Sequence, residues 1–432
     1  MSWRWTTVAL LLVNSLPLRA QPAPARPDTL PPAANVRRLT LDEARQLAQQ
    51  NNKELNLARL NVEEKRHATN AARKDYLPKL IGSVTYFRFN DDLGTVLTVP
   101  TGRFGLLQPG GVAKEVSVFN RDSSLSTIFV AQPITKLIAV NAATQIARAD
   151  EGAAQAQLDR GTREVLSGVS QAYQGLLGAQ RIAAALELQV QLLEQLTAAK
   201  PEPELQIGLL EARQALLQVR AQAHELMQTL DDLLDLPSCT VLELVDPLPP
   251  ELTVRCEDEA AQLALGHSPE VREAEQSIAK ADAAMKVAKM AYLPDVNVIG
   301  GYANQQVASY VQPNIGYIGV TGSYTFWEWG KKRDVKRQRE MDIALAHQNV
   351  RVVVDKVQSE ARKAFAAYEQ AREELRLAGE MVRLRKEAEK AAAGPAAFKA
   401  KADTSKAELE YMKAEITYRV AHAKLAGLIC SD

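Results

Sequence analysis

Cysteine, aromatic residues and net charge are all scarce in this 432-residue chain. There are 3 cysteines, Cys239, Cys256 and Cys430, without the spacing of a metal-ligating cluster. Cys239 and Cys256 could pair across the short segment between them, leaving Cys430 free, or all could be free thiols. Basic and acidic residues balance at 52 each, and no concentrated positive footprint of a nucleic-acid binder stands out. After the first twenty residues no apolar run reaches 18, so no transmembrane helix is expected. Gly-x-x-x-x-Gly-Lys, Gly-x-Ser-x-Gly and Cys-x-x-Cys motifs are missing. His224-Glu225 begins like a zinc-protease helix, but Gln228 stands where the second His belongs. No catalytic, cofactor or metal site is therefore expected, and an enzyme is not indicated.

What the chain does contain is Ala, Leu, Gln, Glu, Lys and Arg in long stretches, a composition of long helices and coiled coils. It opens with MSWRWTTVALLLVNSLPLRA, a basic start and an apolar run too short to span a bilayer. We read residues 1–20 as a secretory signal peptide cleaved near Ala20, and 21–38 as a Pro/Ala-rich leader.

The mature sequence falls into two copies. KDYLPKL (74–80) and MAYLPDV (290–296) share Tyr-Leu-Pro at a spacing of 216. In the same register Glu43-Ala44 meets Glu259-Ala260, Gln46-Leu47-Ala48 meets Gln262-Leu263-Ala264, and Glu54 meets Glu270. Residues 39–236 form the first repeat, 237–257 a linker and 258–432 the second. The first helix starts at Thr40, with Glu43 completing a capping box, and runs to the Pro78 stop. Near-proline-free stretches from about Lys136 to Ala199 and from about Lys331 to Ala393 predict two rods of roughly 90 Å. Return helices follow at about 204–236 and 396–429. Helices of this length point to coiled-coil packing.

Four runs rich in β-branched, aromatic and Gly residues read as strands, at about 80–90, 123–134, 295–306 and 317–328. Each has about the length that a tilted strand needs to cross a bilayer. About two-thirds of the aromatics fall within 76–129 and 292–329, which fits the interfacial girdles of a membrane barrel. Soluble hairpins packed on helices are the alternative. Tyr76, Tyr292, Trp327 and Trp329 are the candidate membrane-interface residues. The basic run KKRDVKRQR (331–339) beside the tryptophans reads as a headgroup contact or as a plain polar helix start. If the strands span lipid, four are too few to close a barrel, and several chains must share one.

The opening LTLDEARQLAQQNNKELNLARLNVE (39–63), its echo EDEAAQLALGHSPEVREAEQSIAKA (257–281), both Tyr-Leu-Pro stops and the junction SYTFWEWGKKRDV (323–335) resemble the TolC-like outer membrane factors. The resemblance covers about residues 39–430. It implies a mainly α fold with membrane β, internally duplicated, with long helical coiled-coil hairpins and four transmembrane strands per chain. These would complete a shared trimeric β-barrel and a periplasmic α-barrel. It further implies a passive exit duct in the outer membrane of a Gram-negative bacterium, serving efflux or type I secretion. Such a homotrimer docks to a periplasmic adaptor and an inner-membrane pump, contacts outer-membrane lipid, and needs no cofactor or nucleic acid. A coiled-coil scaffold without a pore is the competing expectation. The hairpin tips would lie at Lys200–Glu204 and Ala393–Ala397. The family often carries acidic residues just past the second tip, whereas GPAAFKAKAD (394–403) offers only Asp403. Asp403, Glu202 and Glu204 are thus candidate constriction residues, with a solvated turn as the plainer alternative. Pro201 and Pro203 suggest a stiffer first tip.

Overall fold

The computed structural model describes residues 36–90, 93–99, 112–119, 121–199, 202–236, 241–245, 252–308, 311–391 and 395–429. The expected signal peptide, most of the leader, Cys239 and Cys430 lie outside them. The first strand, β1 (Val36–Leu39), leads to Thr40. The Thr40 hydroxyl accepts from the Glu43 N–H at 3.3 Å, and the Glu43 carboxylate accepts from the Thr40 N–H at 3.0 Å. This capping box starts α1 (Leu41–Asn51).

The single helix expected from Thr40 to Pro78 is two. Asn52 leaves helical geometry, and its side-chain oxygen accepts from the N–H groups of Glu54 and Leu55, starting α2 (Lys53–Lys74). Its amide also donates to the Leu233 carbonyl at 3.1 Å, tying the break to a distant helix. Asparagine can do this because its side chain replaces the backbone partner that the first turn lacks.

Past Pro78 come β2 (Lys79–Arg88), a hairpin of β3 (Leu93–Val99) and β4 (Val112–Phe119), and then β5 (Asp122–Pro133). Helix α3 (Lys136–Ala199) holds 64 residues, or about 95 Å. It is followed by α4 (Pro203–Leu234) and β6 (Val241–Leu244). The second repeat gives α5 (Glu257–His267), α6 (Pro269–Met290), β7 (Asp295–Gln305), β8 (Asn314–Ser323), the 61-residue α7 (Lys331–Ala391) and α8 (Pro395–Ile429).

Ser268, 216 positions after Asn52, caps α6 through the Val271 N–H, so the helix break is duplicated too. After the prolines the offset drops to 195, the spacing of Lys136 and Lys331. The β3–β4 hairpin, which is not among the four expected strands, accounts for the change, since β7 and β8 join without a counterpart. The fourth strand was expected at 317–328 but occupies Asn314–Ser323. Its partner β7 begins at Asp295, directly after Pro294, and Asp295 pairs with Ser323, so residues 324–328 have no β7 residue opposite them.

Strands β2, β5, β7 and β8 form one antiparallel sheet in that order. Each connects through a short turn to a helix, and the helices pack in the matching order α2, α3, α6, α7. Ion pairs along the α3–α6 seam fix its register: Asp150–Lys280 at 2.7 Å, Asp159–Arg272 at 2.9 Å, and Arg163–Glu270. Most are half-exposed, so they set alignment more than they add stability. Farther along, α4 packs on α3, α8 on both α3 and α7.

One element corrects the reading of the leader and linker. β1, at the end of the leader, pairs in parallel with β6, inside the linker. Tyr173 of α3 is fully buried beneath this pair. Its hydroxyl lies 2.7 Å from the Leu39 carbonyl and 2.6 Å from the Val245 carbonyl, and accepts from the Val245 N–H at 2.9 Å. One phenol thus binds the start of the first repeat and the linker that follows it to the repeat's longest helix. Tyr173→Phe leaves the part-buried Val245 carbonyl short of a donor, while the Leu39 carbonyl keeps the Val245 N–H at 3.2 Å, a loss of about 1–3 kcal/mol. Thermal unfolding of the variant in detergent is expected to show a lower midpoint, and an unchanged midpoint would remove Tyr173 as a clamp.

Candidate functional site: the open sheet and the hairpin tips

Side chains alternate across a strand, so the register divides the sheet into two faces. One carries Leu80, Val84 and Tyr86 of β2, Ile128 and Val130 of β5, Val296, Val298 and Tyr302 of β7, and Ile318 and Val320 of β8. Most of these large apolar groups are exposed in the single chain, Ile318 at 86%. The other face is the more polar, mixing Ser83, Thr85, Thr127, Asn297 and Thr321 with Ile81, Phe87, Leu125, Phe129, Ile299, Ile315 and Tyr317, and Ser83 and Thr127 hydroxyls bond at 2.7 Å. An apolar outer band with a polar inner face is the pattern of a lipid-exposed barrel wall. A soluble hairpin would cover such a band.

The helix-to-strand turns sit at one end of the sheet. Leu77 and Leu293 close the helix ends with N–H bonds to the Lys74 and Met290 carbonyls, at 3.0 and 2.9 Å. Tyr76 and Tyr292 are both exposed there. The passage from β8 to α7 adds Phe326, Trp327 and Trp329; Trp329 is 88% exposed and packs edge-on against Trp327 with ring centroids 5.9 Å apart. Trp329 and Gly330 both have left-handed backbone, at φ 51° and 85°. All four expected interface residues thus gather on one rim, where amphipathic rings suit a membrane–water boundary.

At the other extreme are the hairpin tips. Glu202 is the N-cap residue of α4, and Glu204 lies in its first turn; both are exposed. Carboxylates at a helix N-terminus are favoured by the macrodipole whatever else they do. Asp403 is half-buried and bonded to Arg385 across the second hairpin at 3.1 Å. Lys386 meets Glu408 at 2.8 Å, a hydrogen bond that holds the ammonium above its ordinary pKa. In the first hairpin Glu194 meets Arg213 and Glu187 meets Arg220, each at 2.7 Å. Sequence reasoning missed these cross-hairpin pairs, although a signal existed. Arg385 and Asp403 stand equally far from Gly394, and both pairs of the first hairpin share one midpoint beside Pro203. His224 lies 3.1 Å from Gln228, not in a metal cluster, and Cys256 is a free, exposed thiol.

The sequence profile of outer membrane efflux proteins matches residues 44–202 and 260–426, one segment in each repeat. The chain belongs to the outer membrane efflux protein family. The fold of this efflux protein is similar to that of solved channels. Against a membrane protein from Pseudomonas aeruginosa it is 17% identical, covering 90% of this chain and 93% of the other, with a TM-score of 0.71. Against the open state of the Neisseria gonorrhoeae MtrE outer membrane channel the values are 16%, 90%, 88% and 0.71. Against the Campylobacter jejuni CmeC outer membrane channel they are 13%, 90%, 85% and 0.69. No curated protein sequence is a significant match. Membership makes this protein an outer-membrane export channel that extends into the periplasm, and sets aside the pore-free scaffold.

The chain's 4 tryptophans are Trp3, Trp5, Trp327 and Trp329, so with residues 1–20 removed, selectively excited tryptophan emission would come from the rim alone. Protein reconstituted in liposomes is expected to emit at short wavelength and to be quenched by lipids brominated near the headgroup. Emission typical of water, untouched by brominated lipid, would displace the rim from the interface.

Proposed function

We propose that three copies of this efflux protein form a passive duct, with a twelve-stranded barrel in the outer membrane and a helical tube below it. The observation that carries the reading is the open sheet: β2 and β8 each have one unpaired edge beside an apolar face exposed to the surroundings. Unpaired backbone groups are not tolerated in hydrocarbon, so β8 of one copy pairs with β2 of the next. Two copies would give eight strands, a barrel whose interior side chains fill. Three is the smallest number that leaves a lumen. The helix layer supports the same closure, since its end helices present exposed Leu57 and Leu60 on α2 and Met341, Leu345 and Val352 on α7. Leu345→Asp places a charge on this seam, and size-exclusion chromatography in detergent is expected to show trimers giving way to monomers. A fully trimeric variant would remove α7 from the contact.

The domain plan follows from this arrangement: an exported chain, a first repeat at 39–236, a connection at 237–257 that lends β6 to the parallel pair with β1, and a second repeat at 258–432. The tips point away from the membrane, toward a periplasmic adaptor and an inner-membrane pump that supplies the energy. Asp403, Glu202 and Glu204 would line the constriction there, with Arg385 partly masking Asp403. In planar bilayers Asp403→Asn is expected to lower cation-over-anion permeability, and Arg385→Gln to raise it. Unchanged selectivity in both variants would remove this pair from the constriction.

A further inference from the structure

Just past the rim, residues 331–339 read KKRDVKRQR, six cations and one carboxylate in nine positions. The internal duplication supplies a control. The matching residues of α3, 136–144, read KLIAVNAAT and hold one cation. Both segments begin long helices below the same sheet. Neither the exit from a strand nor the start of a helix therefore calls for the additional charge. Cations at a helix N-terminus even oppose the macrodipole.

The chain compensates these charges only in part. Arg333 and Asp334 are 3.7 Å apart, Lys336 and Glu340 3.6 Å, and Arg339 and Asp342 2.8 Å. Lys332 turns back onto the Tyr324 ring, 4.6 Å from its centroid, and donates to the Thr325 carbonyl at 3.0 Å. Among the described residues no ion pair reaches Lys331 or Arg337, and both are exposed. In the first repeat, by contrast, Lys136 lies 3.4 Å from Asp295. Next to the uncompensated cations stand the exposed rings of Phe326, Trp327 and Trp329. Trp329 holds its position through a left-handed backbone that bulky residues rarely adopt.

We propose that the β8–α7 junction binds anionic phospholipid headgroups of the periplasmic leaflet, with Lys331, Arg333, Lys336 and Arg337 on the phosphates and the aromatic rings at the acyl boundary. The site rests on the reading of the sheet as membrane-spanning. Each chain then carries one such site at its second repeat and none at its first, so lipid would bind at intervals around the barrel rather than as an even belt.

The test uses native mass spectrometry of the full-length assembly, titrated separately with phosphatidylglycerol and phosphatidylcholine. Wild type is expected to retain phosphatidylglycerol preferentially. The variant Lys331→Gln/Lys336→Gln/Arg337→Gln is expected to lose that preference by about fivefold for each charge removed. Lys136→Gln, at the matching place in α3, is expected to keep it. Equal retention of the two lipids by wild type, or full preference in the triple variant, would overturn the proposal. A triple variant that falls to monomers would assign the cations to subunit contacts and overturn it as well. Conductance in planar bilayers, measured in parallel, judges the membrane reading separately: a wild type that forms no channels sinks that reading and this site with it.

Discussion

A strand edge cannot face hydrocarbon with its N–H and C=O groups unpaired, and the architecture of this protein depends on that constraint. Within the chain, hydrogen bonding joins β2, β5, β7 and β8 and then stops at two open edges. The apolar band on one face makes lipid the fitting surroundings, and lipid makes the edges intolerable unless another copy covers them. The helices inherit the same geometry. Because each strand of the sheet continues into a helix through a short turn, the strand order imposes the helix order, and the open ends of both layers coincide.

Duplication supplies this arrangement with little sequence. The same devices recur: a short first helix, a side-chain cap that ends it and starts the next at Asn52 or Ser268, a Tyr-Leu-Pro stop, a strand pair and a long helical hairpin. The copies differ where function can differ without disturbing the sheet. The first repeat adds the β3–β4 hairpin, and the second adds the tryptophans and cations below the membrane. At Tyr173 and its counterpart Tyr368, 195 positions on, the copies diverge again. Tyr173 clamps a parallel strand pair in the first, whereas Tyr368, Tyr418 and His422 pack against one another at tilted and edge-on angles between α7 and α8 in the second.

Much of this plan was legible because it is written in local chemistry. Pro78, Pro294, Pro203 and Pro395 mark turns between elements that any reader of proline can find. Both long helices begin at the expected residues, Lys136 and Lys331. What escaped depends on partners far away in sequence. Four-residue β1 and β6 carry no periodicity of their own and exist because Tyr173 and each other satisfy them. The end of β8 is set by where β7 begins, and residues 324–328 look like strand until their missing partner is known. The Asn52 break hides inside an unbroken helical pattern, although Ser268-Pro269 in the second copy announces it. At the tip, Asp403 was visible as a carboxylate, but its bond to Arg385 required bringing α8 back alongside α7.

The closure of the sheet between copies can be measured by cross-linking its two edges. Single cysteines would be placed along β2 and β8, on their polar face at positions such as Ser83 and Thr321, in a background where Cys239, Cys256 and Cys430 are serine. Oxidation of membranes carrying the paired variants should give covalent dimers and trimers on non-reducing electrophoresis at one register of the two strands. A chain that stays monomeric at every register would contradict the shared barrel.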